Sequence, residues 1–157
     1  MEIIPLATSV IWVDFFVIVL SKFINLGRSL DQWYKTFGIV AVMSDCLIIL
    51  LGIILTNLLF PNANIITFIV LCVIVQLIHD ILFYLFVIKK LDTGENSIID
   101  LFKQYSEENS YKVLIADSLM VISSVLLYTF LKTVSDEKII FTGLLGAYAM
   151  TYIIYTK

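Results

Sequence analysis

At 157 residues, 61% hydrophobic and only 15% charged, with a mean hydropathy of +1.02, the chain is too apolar for a water-soluble core. A globule of this size buries only about two thirds of the surface its unfolded chain exposes, and soluble domains carry about 25% charged residues. The net charge of −3 is divided among separate blocks, and no basic patch with interleaved aromatics supports nucleic-acid binding.

The composition predicts an all-α integral membrane protein forming one helical domain. The N-terminal MEIIP carries an acid and no basic stretch, unlike a cleaved signal peptide. Five apolar runs follow: 6–26, interrupted by Asp14 and Lys22; 37–60, with Asp45; 65–88, with His79 and Asp80; 111–131, with Asp117; and 139–155, without charge. A crossing needs about 20 apolar residues, and backbone groups in lipid must pair internally, so each run is expected to be a helix. The expected architecture is a bundle of five spans, or of four if the last run does not cross.

Two shorter segments read as helices lying at the interface. In GRSLDQWYKTFG, Ser29 followed by Gln32 fits a capping box, and Leu30, Trp33, Tyr34 and Phe37 recur at helical spacing. The long polar stretch 91–110 places Ile98, Leu101, Phe102 and Tyr105 on one face, with Ser97 opening the helix and Asp100 in its first turn. That face is expected to meet lipid or a partner protein. The uncharged turn 60–64 makes a hairpin of the second and third runs.

Lys and Arg set the orientation. With five spans, Lys22, Arg28, Lys35, Lys89, Lys90, Lys103, Lys112 and Lys157 share one side, and Lys132 and Lys138 the other. The richer side is read as cytoplasmic, with the N-terminus non-cytoplasmic and the C-terminus cytoplasmic.

Four runs carry one aspartate each, in the frames VIWVDFFVIVL, VAVMSDCLIIL, QLIHDILFYL and VLIADSLMVIS. The frames read either as a faint internal repeat or as composition alone. Counting from the cytoplasmic lysines at 1.5 Å per residue, Asp14, Asp45, Asp80 and Asp117 fall roughly 12, 15, 14 and 8 Å deep. Intramembrane carboxyls are costly and mark polar contacts or function. One reading is structural: the acids bond to Ser44, Ser118, Gln76, Tyr84 or backbone carbonyls and fix helix packing. Another is a proton or cation pathway through Asp14, Asp45, His79, Asp80 and Asp117. A third is a divalent metal site, although no His-x-x-His or Glu-x-x-His pair supports it and no cofactor is expected. Hydrolysis by an aspartate pair lacks a motif. Cys46 and Cys72, both in apolar runs, read as small buried hydrophobes. The expected partners are the lipid bilayer and a protein at 91–110, and an oligomer is compatible with the sequence.

The phrases VDFF, LSKF, SLDQWY, FGIVAVMSDCLIILLGI, QLIHDILFY, IIDLFKQY and IADSLM together resemble the small multi-spanning membrane proteins of nucleocytoplasmic large DNA viruses. The resemblance covers most of the chain. It implies a viral or host internal membrane, or the lipid layer under a capsid, and assigns no functional residue. The expected function is a non-enzymatic membrane or virion-membrane component that docks partners through 91–110. The alternative is a proton- or cation-handling protein.

Overall fold

The computed structural model describes residues 1–24, 28–109 and 111–156. The predicted end of the first run at Leu26, the end of the polar stretch at Ser110 and the terminal Lys157 lie outside the described residues. Among the described residues every regular element is helical. The helices are α1 (Ile3–Ile24), α2 (Arg28–Phe37), α3 (Ile39–Leu59), α4 (Ile65–Phe83), α5 (Ser97–Asn109), α6 (Lys112–Leu131) and α7 (Asp136–Ile153). One π turn, Tyr84–Ile88, continues α4.

Four helices are long and apolar enough to cross a membrane: α1, α3, α4 with its π turn, and α6. Five runs were expected. The helix that holds the fifth, α7, starts inside a charged turn of Asp136, Glu137 and Lys138 and ends at Ile153, which shortens its apolar length. The four apolar helices pack as a ring with α1 and α4 at opposite corners, each touching α3 and α6. Leu47, Leu51, Leu55, Ile66, Ile74 and Ile78 are among the many large apolar side chains exposed on its outside, as a lipid-facing belt requires.

α7 lies outside the ring along α1 and runs parallel to it. The Thr8 hydroxyl donates to the Ile139 carbonyl at 3.4 Å and Trp12 Nε1 to the Thr142 carbonyl at 3.1 Å, while Lys22 Nζ donates to the Thr156 carbonyl. Glycines allow this approach. A Cβ on Gly143 would stand 2.6 Å from Thr8 Oγ1, and one on Gly146 3.0 Å from Ile11 Cγ2.

α2 and α5 pack on each other across the ends of the ring. Their N-termini differ from the predicted caps. Ser29 lies inside α2, and the first N–H groups of that helix, on Arg28 and Ser29, donate instead to Glu108 Oε1 and Oε2 of α5, each at 2.8 Å. A carboxylate there complements the helix dipole. α5 is capped by Asn96, whose Oδ1 accepts from the Ile98 and Ile99 N–H groups at 2.9 and 3.3 Å. Asp100 folds back onto the N–H of Gly94, which has a positive φ of 97°. At the predicted hairpin, Asn64 Oδ1 caps α4 by accepting from the Thr67 N–H at 3.0 Å.

The clamp makes a pH dependence expected. Hydrogen bonds from Ser29, and then from the Arg28 backbone, hold the exposed Glu108 carboxyl below its ordinary value of 4.5. A depressed pKa stabilises the docked pair above the ordinary value, and that contribution is lost as pH falls through the lowered one. Trp33 fluorescence, read in a Trp12→Phe background, should therefore change at pH below 4.5. In Glu108→Gln this acid transition should be missing. An unchanged transition in that variant would rule out the clamp as its origin.

Candidate functional site

Each of the four apolar helices carries one aspartate, and three of the four have specific partners. Asp14 is fully buried. Its Oδ2 accepts from the Cys46 thiol at 3.6 Å, and its Oδ1 has no partner among the described residues. Cys46 therefore has a polar task beyond that of a small hydrophobe. Asp45 Oδ2 accepts two bonds from α2, from Trp33 Nε1 at 3.0 Å and from the Tyr34 hydroxyl at 3.2 Å. Asp80 Oδ1 accepts from Gln76 Nε2 at 2.8 Å and faces His79 Nδ1 at 3.0 Å, while its buried Oδ2 has no partner among the described residues. Asp117 is half-buried.

Electrostatics link the four acids in a chain. Asp45 is within reach of Asp14, and Asp117 is within reach of both Asp80 and Asp45. Of the neighbours expected from sequence, Gln76 alone meets an aspartate among the described residues. The Ser118 hydroxyl donates to its own helix at the Leu114 carbonyl, Ser44 is exposed, and Tyr84 lines a surface pocket elsewhere. Lys22, a possible counter-ion, turns to the end of α7. His79 is thus the one imidazole at hand, and its side chain is 40% exposed. Four ionised carboxylates facing it would be largely uncompensated in a low-dielectric interior. Among the described residues, no three His, Cys, Asp or Glu side chains lie close enough to hold a metal ion.

A roof covers the cluster. Trp33 and Tyr34 are buried. Burial, then the charges of Asp45 and Asp14, pushes the Tyr34 phenol well above the ordinary tyrosine range, so it stays protonated and donates. Burial first, then Asp117 and Asp45, likewise raises Tyr105. The face predicted to meet lipid or a partner is instead turned largely onto the chain itself. Leu101 is buried, Ile98, Phe102 and Tyr105 are half-buried, and Phe102 lies 4.8 Å from Trp33 and 6.1 Å from Phe83, centroid to centroid. The reason is that α2 and the end of α4 offer α5 an aromatic surface, Trp33 and Phe83. His79 stacks on Phe83 at 5.8 Å, which extends the aromatic contact from α2 through α5 to α4.

Sequence reasoning placed Trp33 and Tyr34 at the headgroup level and missed their bonds to Asp45. It missed Glu108 entirely. The signal for the first was the short spacing between α2 and Asp45; nothing local marks Glu108 as a cap for a helix so distant in sequence.

Set against protein-family models, curated proteins and solved structures, the chain matches none of them. Fold and site together define an all-α protein with four helices long and apolar enough to cross a membrane, and with a linked row of carboxyls between them.

Proposed function

We propose that the protein is a non-enzymatic multi-pass membrane component whose buried aspartates fix the packing of its helices. The observation that carries this reading is Asp45, which ties the interfacial helix α2 to α3 through two hydrogen bonds to one oxygen. Such interhelical bonds are worth about 0.6–2 kcal/mol each in membranes. The covered state of Asp14 and the roof over the cluster support the same reading. α7 runs beside α1 from Thr8 to Lys22, which supports a fifth crossing. The eight-to-two bias of Lys and Arg orients the N-terminus away from the cytoplasm and the C-terminus into it. The outer, polar side of the 91–110 segment, exposed at Gln104 and Glu107, is the surface for a protein partner. The setting is a viral or host internal membrane, as the sequence resemblance implies.

A second reading, proton or cation handling, is favoured by the half-exposed His79 at the end of the carboxyl chain, bonded to Asp80. Proteoliposomes separate the two. Under the packing reading, Asp14→Asn, Asp45→Asn, Asp80→Asn and Asp117→Asn should each fold, and neither they nor the unaltered protein should pass protons or cations. Flux through the unaltered protein that disappears in Asp80→Asn would replace the first reading with the second.

A further inference from the structure

His79 presents a problem that packing alone leaves unsolved. It lies about 15 Å below the cytoplasmic lysines, counted at 1.5 Å per residue, yet its side chain is 40% exposed. Polar side chains at that depth ordinarily face the bundle interior or a cavity. His79 does line a cavity, of about 230 Å³, between α3 and α4. Its other walls are Ile48, Leu51, Gly52, Leu55, Val75 and Gln76. Leu51 and Leu55 are 60% and 47% exposed, so the groove opens sideways, toward the membrane rather than into the ring.

The chemistry of the polar end is defined. Asp80 Oδ1 accepts from Gln76 Nε2 and faces His79 Nδ1 at 3.0 Å, so the Nδ1 side of the ring is engaged. The other ring nitrogen, Nε2, has no hydrogen bond among the described residues. A ligand for this groove needs one small hydrogen-bonding group at its polar end, such as a hydroxyl, which both donates and accepts, and a hydrocarbon body. A phosphate-bearing headgroup does not fit. At that depth it would be stripped of water, and it would face Asp80 with no Lys or Arg of the chain bonded there.

We propose that the α3–α4 groove binds a neutral, hydroxyl-bearing amphiphile, with its hydroxyl on His79 and its chain along Leu51, Gly52 and Leu55. This inference goes beyond the packing function and stands whether or not the aspartates conduct.

The test uses the full-length protein in lipid nanodiscs and a long-chain primary alcohol with a photoreactive tail. Labelled residues should fall on α3 and α4 around Leu51, Leu55 and Val75. The plain alcohol should compete about fivefold better than the alkane of equal length, the ratio expected for one hydrogen bond of about 1 kcal/mol. Gly52→Leu, whose Cβ meets only Gln76 Oε1 at an ordinary 3.6 Å, should fill the groove and lower labelling to a similar degree. Equal competition by alkane and alcohol would reduce the groove to ordinary lipid contact and overturn the proposal, and it needs no variant to read. Labelling unchanged in a folded Gly52→Leu protein overturns it too. So does efficient disulfide cross-linking of Leu51→Cys between two chains, because a second copy would then cover the groove.

Discussion

Replacing Asp45 with leucine is expected to release α2 from the ring while the apolar helices stay inserted. Leucine removes the acceptor shared by Trp33 and Tyr34 and leaves two donors on residues only 4% and 5% exposed. A buried donor left without a partner costs about 1–3 kcal/mol. Asp45→Asn should behave differently. Both bonds go to a single oxygen, and the asparagine carbonyl can accept them in the same place. Thermal unfolding in detergent, together with protease access to the segment containing α2, measures the difference. The leucine variant should melt earlier and be cut within α2, whereas the asparagine variant should resemble the unaltered protein. If both resist cleavage equally, the aromatic packing of Trp33 on Phe37 and Phe102 holds α2 without help from the carboxyl.

Gly146→Leu should be a strongly damaging change between α1 and α7. Even a methyl group there stands 3.0 Å from Ile11 Cγ2 and 3.2 Å from Trp12 Cε2, both parts of well-held side chains. Overpacking of this kind costs about 1–3 kcal/mol. It should also break the Trp12 bond to the Thr142 carbonyl. The position of α7 is read by labelling. With α7 beside α1, cysteine at Thr156 should react from the same side of the membrane as cysteine at Ser97, and cysteine at Asn62 from the opposite side. In Gly146→Leu the Thr156 site should lose that fixed sidedness. Labelling of Thr156 from the Asn62 side in the unaltered background would instead show that α7 does not cross.

The spans were legible because length and unbroken hydrophobicity decide helix formation in lipid, and α1, α3, α4 and α6 have both. Counting residues to flanking lysines led to the expectation of a common level for the aspartates, and the structure relates them pairwise, Asp45 to Asp14 and Asp117 to Asp80 and Asp45. Their partners were harder to read. Gln76 could be expected for Asp80 because it lies one helical turn away. Cys46 for Asp14, and Trp33 and Tyr34 for Asp45, depend on how one helix is rotated against another, which composition does not set when apolar residues surround every helix. The same uniformity hid the destination of the α5 face. Ile98, Leu101, Phe102 and Tyr105 look alike whether they meet lipid, a partner or the chain's own α2. Capping was misplaced at Ser29 because a local box was preferred to a distant carboxylate, Glu108, that sequence spacing could not reveal.

The place of α1 in the ring bears on how the chain is assembled. α1 is the most enclosed of the four apolar helices, yet two of its neighbours, α6 and α7, emerge long after it. Until they arrive, Asp14, the Thr8 hydroxyl and the indole of Trp12 stand without the walls that cover them in the finished molecule. α1 is therefore an open half-site until α6 and α7 emerge, with α3 as an earlier neighbour through the Asp14–Cys46 contact. The ring itself closes when α6 joins α1 to α4.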